Sequence, residues 1–222
     1  MGQTVTLNAK DGHKLDAYVA LPAGKPKGAV VVLQEIFGVN HHIRGVSDRF
    51  AAMGYAAVAP ALFDRVRKDI ELGYDPKSVA EGREIRGKVP EDGTLADVQA
   101  AIDQAKQYGK VAVVGYCWGG SLAFLAATQL TGATAAVGYY GGTIAAHAGE
   151  KPKIPVILHF GDKDQSIPLS DVEKVKQARP ELPIYVYSAG HGFSCDERGA
   201  FDKAAHELAL DRTTAFLHQH IG

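Results

Sequence analysis

The chain has 222 residues, with 24 Lys and Arg set against 25 Asp and Glu for a formal charge of −1, so it carries no basic excess for neutralising nucleic-acid phosphates. Hydrophobic residues make up 46%, enough for one buried core, while wholly apolar runs such as Ala29–Leu33 fall far short of the ~20 residues of a membrane span. Only two cysteines occur, and the first residues show no basic region followed by an apolar stretch; the expectation is a reduced, cytoplasmic, monomeric protein with one domain over 1–222, no secretory signal, and no nucleic-acid or membrane partner.

Polar and apolar residues alternate over 4–7 and 13–19, on either side of Asp11-Gly12, which predicts an antiparallel hairpin. The continuous apolar run Ala29–Leu33 predicts a strand covered on both faces. Ile43, Val46, Phe50 and Met53 then recur at helical spacing up to a stop at Gly54, and 55–59 is the next buried strand, ended by Pro60. The charged stretch 63–91 predicts one or two surface helices and a loop. A helix over 95–108, a strand over 111–114 and a helix over 122–130 follow. Strands are predicted over 135–140, 154–160 and 184–187, and helices over 172–178 and 200–218. Strand and helix alternate from residue 29 onward. That order implies an α/β fold with right-handed crossovers, a mostly parallel twisted sheet with helices on both faces, and the antiparallel hairpin at its N-terminal edge.

The segment Val111-Ala112-Val113-Val114-Gly115-Tyr116-Cys117-Trp118-Gly119-Gly120 places Gly-x-Cys-x-Gly between a buried strand and a helix. A nucleophile elbow needs this arrangement: the nucleophile sits at the apex of a tight turn, and the residues two before and two after must be small. The helix that follows points free N–H groups at the apex, which favours a thiolate or an oxyanion, and the Trp118 N–H is one candidate oxyanion donor. The other reading of Cys117 is a small buried hydrophobe. Elbow hydrolases carry nucleophile, acid and His in chain order. Asp164 leaves the C-terminal end of the strand 154–160, with Asp162 as its competitor for the orienting carboxylate, and His191 stands between two glycines after the strand 184–187. His41 and His42 lack metal-ligand spacing and read as polar surface. Glu35 ends a buried strand, where a carboxylate is costly unless bonded; it reads either as a salt-bridged acid at the core edge or as a group that trades a proton with Cys117.

Together, Gln34-Glu35-Ile36-Phe37-Gly38, the Gly115–Gly120 elbow, Gly161-Asp162-Lys163-Asp164 and Gly190-His191-Gly192-Phe193 resemble the dienelactone hydrolase (carboxymethylenebutenolidase) family of α/β-hydrolases, over nearly the whole chain. The resemblance implies Cys117 as nucleophile, His191 as base and Asp164 as its orienter, with the Ile36 N–H completing the oxyanion hole beside Trp118. It also implies that Glu35 modulates the thiol, keeping it neutral until an anionic substrate displaces the carboxylate. The substrate it implies is a small anionic lactone such as dienelactone, opened to maleylacetate, with no metal and no organic cofactor. The chain departs from the family pattern where an arginine is expected four residues after the catalytic His: that position is Cys195, a packing residue or a redox partner of Cys117. Arg83, Arg86 and Arg198 are candidates to bind a substrate carboxylate in its place. A carboxylic ester or thioester hydrolase with the same triad, and a non-enzymatic ligand-binding relative, remain alternatives.

Overall fold

The computed structural model describes residues 2–222. One eight-stranded sheet contains β1 (Gln3–Asn8), β2 (Lys14–Ala20), β3 (Ala29–Leu33), β4 (Ala56–Pro60), β5 (Val111–Tyr116), β6 (Ala133–Tyr139), β7 (Val156–Gly161) and β8 (Ile184–Tyr187), in the order β1-β2-β4-β3-β5-β6-β7-β8. β1 and β2 form the antiparallel hairpin, β2 runs antiparallel to β4, and the other neighbours are parallel. The strands alternate with α1 (His41–Ala52), α2 (Pro76–Lys88), α3 (Glu91–Ala105), α4 (Trp118–Gln129), α5 (Leu169–Ala178) and α6 (Lys203–Ile221).

β3 and β5 are buried at every residue, as their unbroken apolar runs require of strands covered on both faces. The β3–α1–β4 connection steps one way along the sheet, and β4–α3–β5 steps back past β3. Right-handed crossovers therefore put α1 and α3 on opposite faces. The reversal leaves a crevice at the C-terminal ends of β3 and β5, the place where open α/β sheets bind ligands. Leu33 pairs with Gly115, so Glu35 and Cys117, each two residues further on, emerge side by side at that edge.

Element boundaries differ from expectation where local chemistry intervenes. α4 starts at Trp118 rather than 122 and includes Gly119 and Gly120, poor helix formers retained because the backbone passes too close for a side chain. β7 starts at Val156, since Pro155 has no N–H for the ladder. α6 starts at Lys203, where Asp202 caps it by accepting from the Ala205 N–H at 2.9 Å. The charged stretch 63–91 holds a single-turn 3₁₀ segment, Leu62–Arg65, and α2, capped by Asp75. Among the described residues, no helix is long and apolar enough to cross a membrane.

Candidate active site

Cys117 has φ +55° and ψ −116°, a backbone state that costs free energy in any non-glycine residue and persists only where the surroundings enforce it. Those surroundings are backbone. A Cβ on Gly115 would lie 1.8 Å from the Gly119 carbonyl oxygen, one on Gly119 2.3 Å from that of Leu33, and one on Gly120 2.3 Å from that of Tyr139. The turn is clamped further by the Cys117 N–H, which donates to Tyr139 at 3.0 Å, and the Gly119 N–H, which donates to Gln34 at 3.0 Å. No intramolecular acceptor for the Trp118 or the Ile36 N–H is found among the described residues.

His191 links the sulfur to a carboxyl group. Its Nε2 lies 3.2 Å from Cys117 Sγ and its Nδ1 2.7 Å from Asp164 Oδ2. The other oxygen, Asp164 Oδ1, accepts from the Ser166 and Ile167 N–H groups at 2.7 and 3.1 Å, which fixes the carboxyl plane. Asp162 is exposed and its side chain makes no such bond. Burial works against a charged imidazole, but the hydrogen bonds to Asp164 and Cys117 outweigh it and push His191 up to about 10. His191 therefore favours its protonated form at neutral pH. The ring of Tyr140, another residue at positive φ, packs 5.2 Å from that of His191; nothing in the sequence around Tyr140 singles it out.

Glu35 reaches this edge, yet its hydrogen bond is not to the thiol. Its Oε1 accepts from Arg198 Nη1 at 3.0 Å, so the Glu35–Cys117 contact expected for a resting neutral thiol is absent from this arrangement. The physical reason is charge: Glu35 is buried, and a guanidinium compensates it better than a thiol can. Gly192, at φ +80°, makes room for the pair, since a Cβ there would lie 2.6 Å from Arg198 Nη1. Arg83, Arg86 and Arg198 all line one cavity of about 350 Å³ with Cys117, Trp118, Ile36 and His191. α2 brings the first two there by packing Gly82 on the Ile36 carbonyl, where a Cβ would come within 2.0 Å. Arg83 and Arg86 are exposed and unpaired among the described residues, unlike Arg198. A larger groove, about 580 Å³, lies between the start of β7 and the C-terminal half of α6 and contains none of these groups.

The reading of His42 as polar surface is corrected. His41 is exposed, but His42 is buried against Tyr116 and Tyr74 because α1 turns that face inward. Its Nδ1 lies 3.0 Å from Asp196 Oδ1. Cys195 is buried and unpaired, as a free thiol, and burial together with the adjacent Glu35 pushes it up to about 12.

Four similarities to known proteins bear on this geometry. The model of the dienelactone hydrolase family matches residues 15–221. A carboxymethylenebutenolidase of Pseudomonas putida is 32% identical over 224 residues, covering 96% of this chain and 94% of its own. A solved structure from Klebsiella pneumoniae, provisionally identified as a dienelactone hydrolase, superposes with a TM-score of 0.84 at 30% identity, covering 99% of this chain and 100% of that one. A dienelactone hydrolase-like promiscuous phosphotriesterase from metagenomic libraries shares the fold, with a TM-score of 0.81 at 22% identity, covering 100% of this chain and 99% of that one.

Proposed function

Since the chain belongs to the dienelactone hydrolase family, a family of hydrolases that act on esters, we propose that it opens a small anionic lactone, dienelactone or a close relative, with Cys117, His191 and Asp164 as its catalytic residues. The observation that carries this reading is the unbroken run from Asp164 through His191, 2.7 and 3.2 Å per link, to a sulfur held at a strained elbow over a cavity.

In the proposed reaction the Cys117 proton rests on His191, the Sγ thiolate attacks the acyl carbon, and the carbonyl electron pair moves onto its oxygen. The Ile36 and Trp118 N–H groups, without acceptors among the described residues, receive that oxyanion. Collapse expels the ring oxygen, which takes the proton held by His191, and leaves a thioester. His191 then takes a proton from water, which attacks the thioester; collapse releases the acid and returns the Cys117 sulfur to its place beside protonated His191. Asp164 keeps the imidazole in the tautomer that both steps need.

The three arginines favour a substrate that carries a carboxylate beside its ester. Among the described residues Arg83 and Arg86 are cations of the cavity without an ion pair, and Arg198 must be shared with Glu35. Two unpaired thiols suit a reducing compartment, so action in the cytoplasm, by a single-domain protein, belongs to the same proposal.

A panel of p-nitrophenyl acetate with cis- and trans-dienelactone tests it. The expected result is turnover of a dienelactone above that of the neutral ester, lost in Cys117→Ala. Turnover of the neutral ester alone would move the assignment to a related carboxylic ester or thioester hydrolase, and folded protein with no turnover would make it a ligand-binding relative.

A further inference from the structure

We propose that Glu35, His42 and Cys195 form a binding site for one borderline divalent cation, Zn²⁺ foremost, behind the Cys117 cavity. A carboxylate oxygen of Glu35, a ring nitrogen of His42 and Cys195 Sγ all lie within 4.8 Å of one another. All three residues are buried, at 1%, 2% and 0% exposure.

The second observation is independent of that proximity. The buried side-chain polar atoms left without a hydrogen-bond partner among the described residues are Glu35 Oε2, His42 Nε2 and Tyr140 Oη. Two of the three belong to this cluster. The third belongs to a phenol whose ionisation is opposed first by burial and then by Glu35 and Cys195. Buried polar atoms are almost always satisfied, so orphans gathered at one place call for a shared partner, which an ion can supply.

The atoms around the cluster are arranged as metal ligands require. A carboxylate oxygen can only accept, so His42 Nδ1 donates to Asp196 Oδ1 at 3.0 Å. In the neutral imidazole this leaves a lone pair on Nε2, the orphaned atom, and a carboxylate–histidine pair of this kind orients a metal-bound imidazole. Arg198 occupies Glu35 Oε1 and leaves Oε2 for the ion. Bond lengths of about 2.0–2.3 Å give a zinc tetrahedron edges of about 3.3–3.6 Å. Closing on the ion therefore asks the three side chains to draw together by roughly an ångström. The mixed O, N and S donor set suits Zn²⁺ over Mg²⁺ or Ca²⁺, which take oxygen. Binding deprotonates Cys195, and the proton leaves to solvent. Arg198 touches Glu35 and also lines the cavity, so a cation enters by displacing its side chain.

The chain contains only two cysteines, which gives a clean experiment. In Cys117→Ala protein, Cys195 is the sole thiol, and turnover plays no part in the readout. Metal-stripped Cys117→Ala protein titrated with Co²⁺ is expected to develop a thiolate-to-cobalt charge-transfer band that saturates at one equivalent. Zn²⁺ should abolish the band and raise the melting temperature. Adding Cys195→Ser should remove the band. Adding Asp196→Ala, at a half-exposed position that leaves the core intact, should weaken binding about 10- to 100-fold. Far-ultraviolet circular dichroism verifies folding of each variant. Folded Cys117→Ala protein that gives no band at millimolar Co²⁺ overturns the site and leaves a bridging water as the partner of the orphans. A band indifferent to Asp196→Ala overturns it as well.

Discussion

The molecule holds two Cys–His–Asp clusters a short distance apart, and the contrast between them separates chemistry from composition. In Asp164–His191–Cys117 every link is a made hydrogen bond, the sulfur stands at a strained turn, and a cavity of about 350 Å³ opens beside it. In Asp196–His42–Cys195 only the carboxylate–imidazole link is made, and the thiol and the facing nitrogen are buried outside that cavity's lining. The first arrangement can pass a proton to something that enters. The second can only hold something that is already small, such as an ion. Residue type is the same in both; backbone strain, connectivity and access differ.

The sharpest way to break this contrast is to remove one sulfur at a time. Cys117→Ala should lower kcat by about 10⁴-fold or more, because the covalent route is lost and only binding and the oxyanion donors remain. Cys195→Ala should lose no more than about fivefold. Steady-state assays with p-nitrophenyl acetate on both variants check this, and a dead Cys195→Ala beside a live Cys117→Ala would exchange the two roles.

The carboxylates come next. Asp164→Asn should cost roughly 10³- to 10⁴-fold in kcat, since an amide can present its N–H to Nδ1 and impose the wrong tautomer. The exposed Asp162, changed to Asn, should alter kcat by less than about twofold. Comparable losses in the two variants would mean that the orienting role is not confined to Asp164.

How much of this was legible beforehand depended on whether the signal was local. The apolar runs of β3 and β5 reported burial on both faces directly, and the Gly115 and Gly119 spacing reported the elbow, because the clashes that forbid a Cβ there come from the turn and its neighbouring strand. That Asp164 and His191 come together beside Cys117 was legible from their places after late strands. His42 was not: its neighbour His41 is exposed, and what buries His42 is packing against Tyr74 and Tyr116 from other segments. Nor could the loop 192–202 show which arginine meets Glu35, since it has no periodicity and depends on positive φ at Gly192 to turn Arg198 back. The Glu35–His42–Cys195 cluster draws one residue from each of three separate segments, so no spacing rule could reveal it.

A smaller effect tests the electrostatics of the first cluster. Asp164 and Cys117 hold the His191 proton against burial, up to about 10. A raised value means that the proton is present through neutral pH and is lost as pH rises through about 10. Activity that uses this proton on the leaving oxygen should then fall about tenfold per pH unit above that point. Asp164→Asn removes one of the groups that raises the value, so its residual activity should begin to fall at lower pH. A profile of kcat/KM against pH for both proteins measures the limb; an upper limb near the ordinary imidazole range in the unmodified protein would contradict the hydrogen-bond pattern.

The smallest effect falls on Glu35, the residue that belongs to both regions. Its Oε1 accepts from Arg198, whose side chain is 20% exposed, while Glu35 itself is buried. An incoming substrate carboxylate must share that guanidinium. Glu35→Gln keeps the shape and an oxygen that can accept from Arg198, but removes the competing charge. Solvent at Arg198 screens the gain, so it should amount to about 0.5–1 kcal/mol, or roughly a two- to fivefold lower KM for an anionic lactone. A neutral ester has nothing to compete for and should keep its KM. Had Glu35 instead faced the thiol, the variant would lower kcat for the anionic lactone more than for the neutral ester and leave the ratio of their KM values untouched. Measuring kcat and KM separately for one anionic and one neutral substrate distinguishes the two, and a higher KM for the anionic lactone would show that Glu35 positions Arg198 more than it competes for it.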